Sequence, residues 1–541
     1  MRIACIGGGP GGLFFATLMK RMATKHEVVV FERNRAEDTF GFGVVFSDAT
    51  LSNLGAADRV LRERLYQRGQ MWEQIELRLK GTVLRCGGNG MAAIARKALL
   101  NLLYRRAEEM GVDLRFDTSI RDLSQLDDFD LVVGSDGANS LVRRTFADSF
   151  APVIETATAK FIWFGTTYRF EGLTFLFQES PYGVFAVHGY PIDESTGTFI
   201  VETDEQTWLA AGMDRFDPSQ PPGVSDMYSK EYLESIFSDQ INCGKLLVNN
   251  SRWANFRTIS NRSWHWGKYV LIGDSAHTAH FSVGSGTKMA MEDATVLAAC
   301  LTRSSDSLEE ALDRYENERR PSVEGIQRSA GPSLSWWENF GMYYAAMESQ
   351  QFAYHFLTRA ISGKRVARRD PWFTDDVLSW WVNKFGAEPL DSPFELPGVT
   401  VSSRIIGIRE SSFKSSEALF MTATGPSVLA LHAGLSPTRS GPFAPLLDIP
   451  SSAGGFGSAK ARLEELLPHK PLLVAIRGGT SLERTLLAEK CRLEASVPTM
   501  TVEERFEKDS ALEAVLSGRT DFVGVPVASG LEFELPSRAR A

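Results

Sequence analysis

The sequence predicts an α/β fold, and three observations predict it. Short apolar runs at Arg2–Ile6, at Leu131–Val133 and within KYVLIGD at 268–274 each end at glycine and feed a helical stretch, as buried parallel strands of a doubly wound sheet do. Between 155 and 210 the texture changes to TATAKFIWFGTTYRF, LTFLFQ, GVFAVHGYPI and GTFIVETD, β-branched and aromatic runs with turn residues between them, which read as an antiparallel sheet. Beyond the Pro/Gly-rich stretch GAEPLDSPFELPG the chain returns to short strands and helices. The expected architecture is a Rossmann-like ligand-binding domain (1–150 and 255–330) with an interleaved antiparallel-sheet substrate domain (roughly 151–254). A helical segment (331–380), a linker (381–392) and a smaller α/β domain (393–541) follow.

Length and composition agree with this division. At 541 residues the chain exceeds one ordinary domain, and two or three are expected. A net charge of −9 gives no support to nucleic-acid binding. The one dense basic cluster, KRVARR at 364–369, reads as a solvated helix end. Cys5, Cys86, Cys243, Cys300 and Cys491 are scattered without CxxC or Cys/His spacing, so no metal site is expected, and their number suits a reducing cytoplasm. The apolar N-terminus runs straight into glycines, which marks a core strand rather than a signal peptide. No apolar stretch approaches the ~20 residues of a membrane span.

The first strand leads into Gly7-Gly8-Gly9-Pro10-Gly11-Gly12, which matches G-x-G-x-x-G at Gly7, Gly9 and Gly12. Gly7 permits the tight turn, Gly9 lets backbone approach a pyrophosphate, and Gly12 lets helix and strand pack closely. The helix from Leu13 to Arg21 then offers unpaired N–H groups and a partial positive charge to phosphates. EVVVF at 27–31 is the next strand and ends at Glu32, 20 residues past Gly12, where a carboxylate meets ribose hydroxyls. An acid there favours an unphosphorylated adenosine ribose, as in FAD or NAD.

Two further signatures have the same form. In DLVVGSDGANSLVR at 130–143, Asp136-Gly137 stands at a strand end, the ligand-presenting edge of such sheets, and Asn139-Ser140 is placed to cap the helix carrying Arg143. After KYVLIGD comes a loop, Ser275 to Thr287, and a helix from Lys288 to Cys300, with Gly284 and Gly286 flanking Ser285. That helix start aims N–H groups at negative charge, which in a flavin enzyme is the pyrimidine edge of the reduced ring.

Together GGGPGG…FER, DLVVGSDGANSLVR and VLIGDSAHTAHFSVGSGTKMAMEDA resemble the single-component FAD-dependent aromatic monooxygenases of para-hydroxybenzoate hydroxylase-like fold, over residues 1–380. The resemblance implies that Gly7, Gly9, Gly12, Glu32 and Arg33 hold the ADP part. Asp136 and Gly137 would serve FAD and pyridine nucleotide, Gly273 and Asp274 the ribityl–pyrophosphate region, and Gly284, Gly286 and Thr287 the ring. Arg96, on GMAAIARKALLNLL, matches an arginine that reaches the flavin phosphates. His280-Phe281-Ser282 stands where many members have proline. With GFGVVFSD at 41–48, this resembles a narrower branch of salicylyl-CoA 5-hydroxylases, 2-aminobenzoyl-CoA monooxygenases and the violacein-pathway tryptophan hydroxylase, in which Gly43 and Val44 meet the flavin edge.

In the resembled fold the antiparallel sheet roofs the substrate pocket, so Trp163, Tyr190 and Phe256 are candidate substrate contacts and His188 and His280 candidate catalytic groups; for each the alternative is core packing. His277 has a structural alternative as a turn-stabilising hydrogen bonder. The implied reaction uses NADH or NADPH to reduce FAD, O2 to form a flavin hydroperoxide, and an electron-rich ring as acceptor of one oxygen. The cofactor carries the hard chemistry, and a histidine near neutrality assists proton transfer. The implied substrate is an aromatic CoA thioester. The alternatives are a free aromatic acid or an indole such as tryptophan, a flavin reductase or dehydrogenase without oxygenation, and a non-catalytic interaction protein. SPFELPGVTVSSRII and the segment from LLAEKC to DFVGV resemble the opening and close of the old yellow enzyme barrel. The segment is too short for a complete (β/α) barrel of ~250 residues, so an incomplete one is expected, without an FMN site. It would serve as a cover, a pocket wall or a homodimer contact. Gly478-Gly479 after LLVAI is either a phosphate turn or an ordinary strand-to-helix turn.

Overall fold

Ile3 to Ile6 are apolar and buried on both faces, which puts the strand Arg2–Ile6 inside a sheet rather than at its edge. The computed structural model describes the whole chain except residues 39–40, 304–306, 413–414, 434–442, 453 and 528–541. Across this first sheet the order is His265–Trp266, Tyr269–Leu271, Leu131–Gly134, Arg2–Ile6, Glu27–Phe31 and Asp113–Arg115. All neighbours pair in parallel except the first two strands. The register sets Ile6 level with Phe31 and Gly134, and Gly134 level with Leu271. The three glycine turns that follow these strands therefore emerge along one carboxyl edge, where doubly wound sheets bind ligands. The helix Pro10–Met22 lies close to the helix Gly286–Leu301 because Gly11 carries no side chain: a Cβ there would stand 3.2 Å from the Ala290 Cβ.

The second sheet runs Leu246–Leu247, Pro152–Thr166, Gly197–Thr203, Gly183–Pro191, Leu173–Ser180, Ile75–Leu79 and Thr82–Cys86, with Ala254–Asn261 paired to Pro152–Thr166. Its central strands are antiparallel, and the period of two sorts their side chains. Ile162, Phe164, Leu176, Phe185, Val187, Phe199 and Val201 form one core. Their alternates Phe161, Trp163, Phe175, His188, Tyr190 and Ile200 line a cavity on the other face. A small sheet of Gly43–Ser47, Met91–Ala95 and Gln70–Trp72 adds to this region.

The chain packs as two compact units, Met1–Asn339 and Phe340–Ala541. The sequence places the division at 381–392, but the helix Leu308–Ala346 runs across position 339, and residues 381–392 hold the end of the helix Pro371–Phe385 and a turn at Pro389–Asp391. Proline and glycine there do not make a free linker. Arg404 donates to the carbonyls of Ser392 and Pro393 (3.0 and 3.1 Å), and Pro389 and Leu390 are buried. In the second unit Ile405–Ser412, Ser415–Thr422, Gly425–Ala433, Ala444–Ile449, Val474–Gly478, Thr499–Val502 and Phe522–Pro526 close into a seven-stranded barrel. Five pairings are parallel and two antiparallel. Helices Gly455–Leu466, Ser481–Glu489 and Lys508–Leu516 connect the parallel strands from Ala444 onward. The Gly478-Gly479 turn is occupied by its own chain: Arg484 donates to both glycine carbonyls (3.0 and 3.1 Å), and Thr480 and Glu483 form a capping box. Among the described residues no helix is long and apolar enough to cross a membrane.

Candidate active site

The first turn is built for close backbone approach. Gly7 has φ +105°, and a Cβ on it would lie 2.5 Å from the Ser135 carbonyl oxygen; a Cβ on Gly12 would lie 2.4 Å from the Gly7 carbonyl oxygen. At Gly9 a Cβ would meet nothing within 4 Å, so this glycine faces open space. Gly9 is also the N-cap of Pro10–Met22 and supplies no side-chain acceptor, which leaves the helix N–H groups for an external anion. Glu32 stands beside the turn, its Oε2 accepting from the Gly8 N–H (2.8 Å) and its Oε1 from the Asn34 N–H and Nδ2 (2.8 and 2.7 Å). Arg33 is exposed next to it.

The second and third turns are tied to each other. Asp136 accepts from the Leu141 N–H (2.6 Å) and from the Ser275 hydroxyl (3.2 Å), which itself accepts from the Gly137 N–H (3.0 Å). Ser140 caps the helix that follows, and Arg143 on that helix donates to the Ser275 carbonyl (2.8 Å). Asp293, fully buried, pins the third turn: it accepts from the Gly273 N–H (2.9 Å), pairs with His277 Nε2 (2.8 Å) and receives Arg319 Nε (2.9 Å). His277 therefore acts as a structural partner of Asp293.

These turns open into a cavity of about 460 Å³. Of the residues singled out from the sequence, Gly9, Gly43, Val44, Arg96, Gly137, Gly273, Asp274, Gly284, Gly286 and Thr287 line it, together with Trp163, His188, Tyr190 and Phe256. Gly7, Gly12, Glu32, Arg33, Asp136 and His280 do not. Deep burial lowers the Arg96 guanidinium from its ordinary range, against the pull of Asp274, and among the described residues no carboxylate lies within ion-pair distance of it. Asp274 has solvent-accessible surface yet sits deep in the fold, because its exposure is to the cavity. Desolvation raises its carboxyl, with His277 and Arg96 pulling the other way. Ser285 Oγ and Trp163 Nε1 are buried polar atoms without a hydrogen-bond partner among the described residues, an expensive arrangement unless a ligand completes it. Bare glycine backbone, a helix N-terminus, a cavity-lining cation without an ion-pair partner among the described residues and orphaned polar atoms together fit a pyrophosphate-bearing cofactor with a polar ring edge.

Behind the aromatic wall lies a cluster that includes an unexpected member, Glu202. His188 Nε2 is 3.1 Å from Glu202 Oε2, and His280 Nε2 is 3.2 Å from Glu202 Oε1. Burial would raise the Glu202 carboxyl, but the two histidines outweigh it and hold it down at about 2. His280 Nδ1 faces Ser282 Oγ (2.7 Å), which reaches Ser333 Oγ (2.8 Å) on the long helix. The sequence leaves His280 between pocket contact and core packing; this histidine does not line the cavity and pairs with Glu202 instead. The signal for Glu202 was present in GTFIVETD, where Ile200 and Glu202 share the face opposite Phe199 and Val201. An acid on that face of an apolar strand needs partners. Ser333 carried no such signal.

The FAD binding domain family matches residues 1–130 and 128–330. The chain is 52% identical over 525 residues to salicyloyl-CoA 5-hydroxylase of a Streptomyces species, covering 97% of this chain and 99% of that protein. It is 36% identical to 3-hydroxy-4-methyl-anthranilyl-(aryl-carrier protein) 5-monooxygenase of Streptosporangium sibiricum, over 62% of this chain and 89% of that one. Among solved structures, the tetrameric form of 2-methyl-3-hydroxypyridine-5-carboxylic acid oxygenase matches with a TM-score of 0.52 at 21% identity, covering 66% of this chain and 98% of that chain; this is a likeness of fold.

Proposed function

We propose, from the premise that the chain belongs to the FAD binding domain family and is an FAD-dependent monooxygenase, that it hydroxylates the ring of an aromatic acyl-CoA thioester. Salicyloyl-CoA, at C5, comes first and 2-aminobenzoyl-CoA second. The observation that carries this reading is the reach of the 52% identity, which extends over 97% of the chain and so through the barrel unit. The relative whose printed substrate is held on a carrier protein matches only 62% of the chain. The barrel is thus shared with the relative named for a CoA thioester.

The turns would hold the cofactor in an extended pose. The Gly9 backbone and the helix start of Pro10–Met22 would take the pyrophosphate, Glu32 and Arg33 the adenosine side, Arg96 a phosphate, and Asp136, Gly137, Gly273 and Asp274 the middle. Gly43, Val44, Gly284, Gly286 and Thr287 would meet the ring with backbone. When bound, the flavin takes electrons from NADH or NADPH and delivers one atom of O2. The chain's own part is orientation, dryness and the proton. Phe161, Phe175, Phe256 and Phe281 line the cavity with apolar rings that exclude water from the reacting centre. Trp163 Nε1 supplies a donor for an acceptor oxygen of the substrate, and Tyr190, whose hydroxyl donates to the Gly43 carbonyl (3.3 Å), sets the wall beside it. His188, on the cavity surface, receives the phenol proton, which enriches the ring at the position para to the oxygen.

We read 1–380 as the monooxygenase portion and 393–541 as a reduced relative of the old yellow enzyme barrel. The run of parallel strands joined by helices supports this, and a homodimer contact is one use for it. The free cysteines suit a cytoplasmic setting. The test compares salicyloyl-CoA, 2-aminobenzoyl-CoA, salicylate and tryptophan for stimulated NADH and NADPH oxidation under labelled O2. The expected result is stimulation by a thioester with one labelled oxygen in the product. Equal stimulation by free salicylate removes the CoA requirement, and oxidation without label makes the protein a reductase.

A further inference from the structure

We infer that Glu202 and His280 are positioning residues that fix His188 as the proton acceptor of the site, in the order substrate phenol, His188, Glu202, His280. This rests on the reading of the substrate as a phenol. The backbone N–H of Ser282 donates to His280 Nδ1 (3.4 Å). A backbone N–H is always a donor, so Nδ1 is the unprotonated nitrogen of that ring, the tautomer being assigned from its partners. His280 is then neutral with its proton on Nε2, the atom 3.2 Å from Glu202 Oε1. It does not line the cavity; it donates a hydrogen bond to a carboxylate.

Glu202 is 1% exposed and its oxygens are divided between two imidazoles. With His280 neutral, the group placed to become the counter-charge of the buried carboxylate, once it takes up a proton, is His188, 4% exposed and the member of the cluster on the cavity wall. Glu202 Oε2 requires a proton on His188 Nε2, which assigns the incoming proton to Nδ1. The rings of Phe175, Phe281 and Trp337 pack on His188 among its neighbours, and the ionisable groups acting on Glu202 are the two histidines. In the step itself the phenol O–H bond breaks, an N–H bond forms at His188 Nδ1, and the electron pair stays on the phenolate. The cluster passes from a net charge of −1 to 0, so the buried carboxylate favours the transfer. A carboxylate that orients an imidazole and stabilises its cation has the same role in hydrolytic triads.

The test uses the FAD-loaded full chain. In Glu202→Gln the flavin spectrum should persist. The bound phenol of salicyloyl-CoA, followed by its phenolate absorbance, should ionise at least one pH unit higher than in wild type. kcat near pH 7 should fall ~100-fold, the lower end of the range for general-base loss. Glu202→Asp should recover part of both. His280→Gln keeps an amide donor to Glu202 and should lose less kcat than His188→Gln, which removes the proton acceptor itself. Unchanged phenol ionisation in Glu202→Gln, or equal losses in the two histidine variants, overturns the assignment. A measurement without substrate separates this from the choice of substrate: nitrogen-15 NMR of the holoenzyme should show both imidazoles protonated at Nε2 and His280 neutral. A charged His280, or a proton on its Nδ1, defeats the inference whatever thioester the enzyme accepts. Failure of every thioester with these tautomers intact defeats only the substrate reading.

Discussion

Asp293 is the residue whose loss should cost this protein most outside the chemistry itself. It binds a backbone N–H, a histidine and an arginine from a fully buried position. Burial pushes its carboxyl upward, and His277 and Arg319 more than reverse this, so it stays below the ordinary carboxylate range. Removing one partner from such a set leaves uncompensated buried charge, at a cost of about 3–5 kcal/mol. Asp293→Asn should therefore lower the thermal midpoint at pH 7 and loosen FAD, as read by melting and by release of flavin fluorescence. The sign with pH follows from the depressed value. The stabilisation is complete above the unfolded carboxyl's range near 4 and is lost as pH falls through the folded value. The gap between wild type and variant should thus narrow on acidification. A gap independent of pH would mean that Asp293 is not ionised in the folded protein.

At the scale of the element, the glycine turns show what a sequence can and cannot disclose. Gly12→Ala is the sharpest probe, because its Cβ would stand 2.4 Å from both the Gly7 carbonyl oxygen and Ser135 Oγ. Backbone cannot yield to it, so the helix Pro10–Met22 must move off its strand. FAD affinity should fall at least tenfold, measured by equilibrium titration of the apoprotein; unaltered affinity would show that the helix start is not the phosphate site. That turn was legible because strand, glycines, helix and acid follow one another within Arg2–Glu32. The sheet strands were legible through their period of two. The Glu202 contacts were not, since His188, Glu202 and His280 lie on three separate segments and meet only once Gly183–Pro191 and Gly197–Thr203 pair in register, His188 opposite Ile200. The division at 339 was hidden for a related reason. Pro321 and Pro332 sit inside the long helix without ending it, and the Pro/Gly-rich stretch is held down by an arginine that is distant in sequence.

For the molecule as a whole, the two units carry buried ionisable groups that yield to acid in different pH windows, and acid should act on them in turn. In the second unit, Glu489 accepts from the Tyr343 hydroxyl (2.6 Å) and pairs with His355 Nε2 (2.9 Å). Burial lowers His355 to about 4, only partly opposed by Glu489. The unfolded chain takes up this proton near 6.5 and the folded unit resists it. Stability is therefore lost as pH falls from 6.5 toward 4, by on the order of 3 kcal/mol in full. In the first unit the carboxylates Asp293 and Glu202, both fully buried, are depressed, and their contribution survives until pH drops below about 4; the one histidine lowered there, His26, lies by the N-terminus, 3.1 Å from the Met1 amino group. Limited proteolysis of the holoenzyme between pH 7 and 3, with fragments identified by mass, should find cuts within 340–527 near pH 5 while 1–339 stays protected. His355→Gln retains a donor to Glu489 and cannot titrate, so it should move the second unit's sensitivity down toward that of the first. Simultaneous cutting of both units, or a His355→Gln profile identical to wild type, would mean that the two cores unfold as one and that His355 does not set the order.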